Sequence, residues 1–408
     1  MSSVDPSGLA ALVRPGAPGE AGFDLSVRPG LPALALAARG RGPSGAPGLE
    51  AWRAELAGKT ATLTLLAGAG TRWVKSLASV RARTSGAEPA ALSPAEREAL
   101  AFDPEKPRGL FPVRDLLGLG RDLGRGRGVE PGQGAAAGAG PGTGGRVPMA
   151  AYALAAVKGL GSHLVVVRGH EAEIESEILS PLGFEPGSCR FFTQEAPFGK
   201  PLGHGDAAWQ CRALWKGQEY VVANFGGDAN SRLTILSALL ALDALASRGE
   251  EVDLLVPAAL VKAPGYPVLL DAEGLPRAFG HAKLQGAGAA SGRRGEASWT
   301  PAPPRADGRA YTNVGLRVYR AAALLEAVER FRRDHWEEGK GYAIPGNDPE
   351  GREFALDNVD AAIAASGRAR LFPVARPEEL RPAKAFEDLP AFEAAVAVVA
   401  AEDRAAGL

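Results

Sequence analysis

The chain of 408 residues is poor in sulfur and imidazole: two cysteines, Cys189 and Cys211, two methionines and five histidines. Two cysteines cannot build a disulfide framework or a zinc cluster, and they fit a reducing cytosol. No stretch approaches the roughly 18 uninterrupted apolar residues of a membrane span. The N-terminus lacks the basic flank and continuous apolar run of a signal peptide. An excess of one charge is also missing, since 46 Lys plus Arg face 47 Asp plus Glu, a net charge of −1. That balance argues against a nucleic-acid protein built on a general basic field, while leaving room for a local anion site. No Ser/His/Asp or Cys/His arrangement signals covalent catalysis. The expectation is a cytoplasmic protein with neither nucleic acid nor membrane as partner.

What is present is apolar residues at 46%, with 53 glycines and 32 prolines. That is enough for a sizeable core. Residues 1–58 read as an N-terminal extension dominated by Pro, Gly and Ala, with one short helix around 49–56. A main domain is expected over 59–375, interrupted by a flexible glycine-rich insertion at about 118–146, and a C-terminal segment over 376–408. Glycine at that density carries a high ordering entropy and little to bury. Strands are expected at 61–66, 163–167, 191–193, 220–225, 252–256, 268–270, 314–319 and 370–374. Helices are expected at 148–160, 171–179, 233–247, 321–334, 354–365 and 391–405, that over 233–247 amphipathic. Ser93-Pro94 before Glu96 is a further helix start. Strands alternating with helices predict an α/β fold with a mixed, mostly parallel sheet flanked by helices.

Four segments could carry chemistry. The first strand runs into Ala67-Gly68-Ala69-Gly70-Thr71-Arg72. Glycines there let backbone N–H groups approach a phosphate, and an arginine just beyond can hold its oxygens with a bidentate fork. The plain alternative is a glycine turn. A third glycine at the dinucleotide offset is missing, and no Gly-Lys-Ser/Thr follows. In the second segment, Lys106 and Arg108 flank Pro107 and precede the apolar Leu110-Phe111-Pro112-Val113. The two cations could face a polyphosphate or form a solvated surface turn. Third, Gln194 stands at a strand end before Pro201-Leu202-Gly203-His204-Gly205-Asp206-Ala207. A carboxamide suits a pyrimidine edge, and the glycines leave room for a flat base. The His204/Asp206 pair reads as a loop without metal, because no further His/Cys cluster supports it. Fourth, the strand at 220–225 ends in Gly226-Gly227-Asp228. Open α/β sheets bind ligands at the carboxyl ends of their strands, and Asp228 there is either a hard-oxygen ligand for Mg²⁺ or a helix cap.

In this order the segments resemble the sugar-1-phosphate nucleotidyltransferases. The LAxGxGTR motif stands at Leu66–Arg72, PLGxGxA at Pro201–Ala207, the Gly-Asp metal motif at Gly227-Asp228, and a late N-x-G at Asn313 and Gly315. Pro107-Arg108-Gly109-Leu110-Phe111 is similar to the PKGMY of the UDP-sugar pyrophosphorylase branch, and Arg376–Lys384 to its R-x-E-E-F-x-P-x-K. The resemblance implies a Rossmann-like, GT-A-like fold and a uridylyltransferase. That enzyme would join UTP and a sugar-1-phosphate, either N-acetylglucosamine-1-phosphate or glucose-1-phosphate, into a UDP-sugar, with Mg²⁺ as cofactor. It also implies roles. Ala67, Gly68, Gly70 and Thr71 would cradle the triphosphate, and Gln194 and Gly203 would hold the base. Arg72, Lys106, Arg108 and Lys384 would stabilise phosphate charge. Asn313 and Gly315 would meet the sugar, and Asp228 the metal. The chain departs from the family in several places. Arg108 replaces a lysine, a long spacer separates Arg72 from Lys106, and His281 and Lys283 stand where a glutamate is expected. Asp357 is the candidate for a second metal carboxylate. The departures motivate an alternative, a catalytically weakened nucleotide- or nucleotide-sugar-binding regulatory protein on the same fold. A further alternative is an unrelated α/β phosphate-binding enzyme.

Overall fold

The computed structural model describes residues 28–29, 31–38, 48–67, 71–104, 106–117, 145–262, 267–279, 305–344 and 353–408. In chain order its strands are β1 (Thr60–Leu65), β2 (Pro112–Arg114), β3 (Arg146–Pro148), β4 (Ser162–Val167), β5 (Cys189–Thr193), β6 (Tyr220–Phe225), β7 (Leu254–Val261), β8 (Val268–Leu270), β9 (Pro276–Phe279), β10 (Ala310–Asn313), β11 (Arg317–Arg320), β12 (Trp336–Glu337), β13 (Gly341–Tyr342) and β14 (Ala369–Phe372). The α-helices are α1 (Leu31–Ala38), α2 (Leu49–Ala57), α3 (Thr71–Thr84), α4 (Pro94–Ala101), α5 (Ala150–Val157), α6 (Glu171–Ile174), α7 (His204–Gln210), α8 (Arg232–Ser247), α9 (Ala321–His335), α10 (Leu356–Ala365) and α11 (Leu389–Ala405).

The fold is α/β, with a mixed, mostly parallel sheet between helical layers. β1 lies at the centre, parallel to β4 and β6, and β5 runs parallel to β4. β11 is antiparallel to both β6 and β7, and β14 is parallel to β7. The carboxyl ends of β1, β4, β5 and β6 therefore share one edge. β10 also runs antiparallel along β7, pairing Asn313 with Ala258, whereas β11 pairs Val318 with Leu255. The register slips across Val314-Gly315-Leu316, where Gly315 adopts φ 78°. One continuous strand was expected over 314–319; the structure breaks it there and places β10 before the break.

All six residues of β1 are buried, the pattern of a central strand covered on both faces. Alternation decides what each face meets. Ala61, Leu63 and Leu65 pack with α7, α9 and α10. Thr62 and Thr64 face the opposite layer and find polar partners: Thr62 meets His163 at 2.7 Å, and Thr64 donates to Asn224 at 2.8 Å. That layer contains α8, which is buried along Leu233–Leu245 rather than two-faced as its sequence predicts. The sheet covers one side of it, while α1 and Trp52 of α2 pack in the same core cluster. Its polar residue Asp243 is consumed inside, accepting from Trp52 Nε1 at 2.7 Å and Tyr220 Oη at 2.9 Å. The described part of the N-terminal extension thus contributes to the core.

α3 was not anticipated, although Trp73, Leu77, Val80 and Thr84 recur at helical spacing and are buried. The helix start expected at Ser93-Pro94 opens α4, and Ser93 and Glu96 form a capping box there. Most of the glycine-rich insertion, residues 118–144, lies outside the described residues; its flanks β2 and β3 form an antiparallel pair. No helix among the described residues is long and apolar enough to cross a membrane.

Candidate functional site

The site assembles at the carboxyl edge of the sheet, where β6 ends in Gly226-Gly227-Asp228. The Asp228 N–H donates to the Phe225 carbonyl at 3.1 Å, closing the turn that presents the carboxylate. Side chains close in on both glycines. A Cβ at Gly226 would collide with Leu66, and one at Gly227 with the guanidinium of Arg108. Arg108 opens a single 3-10 turn, Arg108–Leu110, whose Gly109 is pressed against Ala150 and Leu66. Opposite, the left-handed Gly315 lies so close to Asp228 Oδ2 that a Cβ would overlap it. The Ala383 N–H donates to the Gly227 carbonyl at 3.1 Å, which brings Lys384 to the same turn. Four segments distant in sequence thus meet around one carboxylate.

Burial pushes the Asp228 carboxyl up to about 6, against the pull of Lys384, Arg108 and Arg317. Arg317 was not anticipated. It opens β11, is 3% exposed, and pairs with Asp360 at 3.0 Å and with Asp357. Burial disfavours its charge, but Asp360 and Asp357 more than compensate and raise its pKa. Tyr319 Oη completes the cluster by donating to Asp360 at 2.6 Å. A signal was available: an arginine inside an otherwise apolar strand needs a buried partner, and Asp357 and Asp360 stand three apart on one helix.

Beside Gly315, Asn313 Oδ1 accepts from the Gly315 N–H at 3.2 Å. Its Nδ2, like Thr312 Oγ1, is buried without a hydrogen-bond partner among the described residues. Such orphaned groups are costly unless a ligand or water completes them. Asn230 donates to the Val314 carbonyl at 2.8 Å and anchors the same break from behind.

The other expected site residues divide. Ala67 is buried at the end of β1, and Arg72 is exposed on the first turn of α3. Thr71 opens that helix, while Gly68 and Gly70 lie outside the described residues, as do His281 and Lys283. Lys106 is engaged by Glu173 at 2.7 Å, so of the two cations flanking Pro107 the one set against Asp228 is Arg108. Gln194 follows β5 and donates to the Gly203 carbonyl at 3.0 Å. Gly203 (φ 95°) and Gly205 face the chain itself: a Cβ on either would strike Phe354. His204 and Asp206 do not converge. His204 Nδ1 accepts from the Leu356 N–H at 2.7 Å, whereas Asp206 takes Tyr342 Oη at 2.7 Å and Gln210 at 2.6 Å. Burial holds His204 down to about 4, so its ring is neutral.

Asp357 is occupied by Arg317 and is not poised as a second metal carboxylate. Among the described residues no group of three His, Cys, Asp or Glu side chains could hold a metal ion. Asp228 alone fits a magnesium ion only if substrate oxygens and water fill the remaining positions, which is a common mode for that ion. No model of a known protein family matches the chain, and it matches no curated protein significantly.

Proposed function

We propose that the protein is a cytoplasmic sugar-1-phosphate nucleotidyltransferase of GT-A-like fold. It joins UTP to N-acetylglucosamine-1-phosphate or glucose-1-phosphate and releases pyrophosphate. The observation that supports this most is the meeting of Arg108, Lys384 and Gly315 around Asp228 at the carboxyl edge of the sheet. Each comes from a motif that resembles the family's. The mixed, mostly parallel sheet flanked by helices is the scaffold such a reading requires.

In the proposed reaction an oxygen of the sugar phosphate attacks the α-phosphorus of UTP in line. A new P–O bond forms as the bond to the pyrophosphate oxygen breaks, and pyrophosphate departs with that electron pair. The protein positions the two substrates and offsets their charge. Arg108 holds phosphate oxygens of the leaving group, and Lys384 the sugar phosphate. Arg72 and Lys106 lie further out and assist once the triphosphate is seated over Ala67–Thr71. Gln194, its Nε2 held by the Gly203 carbonyl, meets the uracil edge, and the unsatisfied Asn313 Nδ2 donates to a sugar hydroxyl. A magnesium ion held by Asp228 and substrate oxygens would supply charge neutralisation at the phosphates. That Arg108 lies against Gly227, beside Asp228, favours a working site over a decayed one.

The test is pyrophosphate release with Mg²⁺ across the nucleoside triphosphates and both sugar phosphates. Release with UTP and one sugar phosphate is expected. Arg108→Gln should lower kcat/KM about 10²–10³-fold, the usual loss for one charge-stabilising donor. Silence with every pair, alongside a UTP-raised Tm, would instead favour the regulatory binding protein.

A further inference from the structure

Arg28 stands far ahead of the main domain in sequence, yet its side chain is fully buried. Its guanidinium reaches four separate segments. Nε donates to Glu402 Oε1 at 3.0 Å, on the last turn of α11. Nη1 donates to the Val374 carbonyl, just past β14, and to Glu379 Oε1 at 3.2 Å, on the 3-10 turn Pro377–Leu380. Nη2 donates to Thr234 Oγ1 at 3.0 Å and to Ser231 Oγ at 3.3 Å, at the start of α8. Every guanidinium nitrogen is used, in a planar fork that a lysine ammonium does not reproduce. Beyond Arg28, Leu31 and Ala35 of α1 enter the same core cluster as Ile235, Leu236 and Leu239 of α8. Arg28 and α1 thus form a strap laid along α8.

Two of the four segments flank the turn that carries Asp228. Ser231 stands three residues after Asp228. Glu379 stands four residues before Ala383, whose N–H donates to the Gly227 carbonyl at 3.1 Å. Glu379 joins these flanks directly, accepting from the Ser231 N–H at 3.0 Å and from Thr234 Oγ1 at 2.8 Å. Burial pushes the Glu379 carboxyl up, and the charge of Arg28 pulls it back. An ionised carboxylate between the flanks therefore depends on the arginine beside it.

We propose that Arg28 is a positioning residue of the candidate site: by clamping Glu379 to Ser231 and Thr234 it fixes both flanks of the Gly226–Asp228 turn, so the geometry of that turn depends on the strap being seated. The described part of the N-terminal extension is then a support of the site as well as part of the core. The effect on catalysis rests on the proposed function, whereas the clamp itself does not.

The test uses the full chain and two readouts. Native-state hydrogen exchange in rising urea follows the amides of α1, Asp228 and Ala383, with Leu63 of β1 reporting global opening. In the parent protein the amides of α1, Asp228 and Ala383 should lose protection in one shared opening, at lower urea than Leu63. Three results would overturn the proposal: Asp228 and Ala383 staying protected while α1 exchanges, exchanging while α1 stays protected, or opening only together with Leu63. Arg28→Lys keeps the charge but cannot span the four segments. Its Asp228 and Ala383 amides should exchange at least about tenfold faster, with Leu63 unchanged. Its kcat for nucleotide-sugar formation should fall by up to about 10²-fold, with KM for UTP changed less, as expected when reacting groups are misplaced. In Arg28→Ala, methylguanidinium should refill the socket and restore both readouts. A variant that is only less heat-stable, with parent exchange at these two amides and parent kcat below its Tm, would mark Arg28 as merely structural and overturn the proposal. The exchange pattern of the parent is decisive by itself, so a variant that folds poorly does not remove the test. The shared opening without nucleotide-sugar formation from any substrate pair would count against the proposed function and leave the clamp standing.

Discussion

His163 shows how a polar side chain is held inside this sheet. Its Nε2 accepts from the Gly159 N–H at 3.2 Å, so the proton lies on Nδ1, which donates to Thr62 Oγ1 at 2.7 Å. Phe184 closes over the ring edge-on at 4.9 Å. Burial holds the imidazole down to about 4, below its ordinary 6.5. The neutral ring therefore contributes fully above pH 6.5, and that contribution is lost as pH falls from 6.5 toward 4. By linkage the loss is on the order of 3 kcal/mol. Urea denaturation of the parent and of His163→Asn across this window should show the difference in stability between them shrinking as pH falls. A constant difference would mean that the ring is not held neutral. At the candidate site the corresponding residue is Arg317. Arg317→Met should cost about 3–5 kcal/mol, because it strands Asp360 in the core. Its stability should recover as pH is lowered, starting above the value of about 6 that Asp360 has with Arg317 in place, since losing the arginine's pull raises the carboxyl further and the protonated acid no longer carries an unpaired charge. Arg317 stands out as an arginine inside an apolar strand, but its partners lie forty or more residues away and spacing does not name them; Asp228 was visible because two glycines announce the turn that presents it.

Elements were legible where local chemistry fixes them. Tyr220–Phe225 runs between polar flanks as a strand apolar but for Asn224, and Ser93 and Glu96 mark the start of α4 without outside help. What was illegible depends on a neighbour. α8 is two-faced as a sequence and buried as a helix because α1 and the sheet both press on it. Its N-terminus is held from far away: Ser231 caps it, Asp403 accepts from the Arg232 and Leu233 N–H groups at 2.9 and 3.0 Å, and Glu379 accepts from the Ser231 N–H at 3.0 Å. Glu379 is in turn paired with Arg28 at 3.2 Å, both fully buried. In the run at 376–384, Glu379 fastens α8, while the charge of Lys384 bears on Asp228. Arg28→Met should cost about 3–5 kcal/mol by leaving Glu379 unpaired. Adding Glu379→Leu should restore part of that loss, because the stranded charge is gone while the Ser231 and Arg376 N–H groups lose their acceptor, and a double-mutant cycle in urea measures the recovery. Strict additivity would show that the two charges do not act as a pair.

Across the whole molecule, the parallel strands aim their ends at one edge, and the chain between β10 and β11, both antiparallel to β7, brings Gly315 to that edge where β11 begins beside the end of β6. This route explains why the late N-x-G could be found as a motif while its proximity to Asp228 could not be read from spacing. Uridylyl transfer at this edge is what we propose. The most direct test is mass spectrometry of the products formed from UTP, Mg²⁺ and isotopically labelled N-acetylglucosamine-1-phosphate or glucose-1-phosphate, for the parent and for Asp228→Ala. The account predicts a UDP-sugar carrying the labelled sugar, formed at least about 10²-fold more slowly by the variant. The absence of a UDP-sugar from both sugar phosphates, or equal rates in parent and variant, would contradict it.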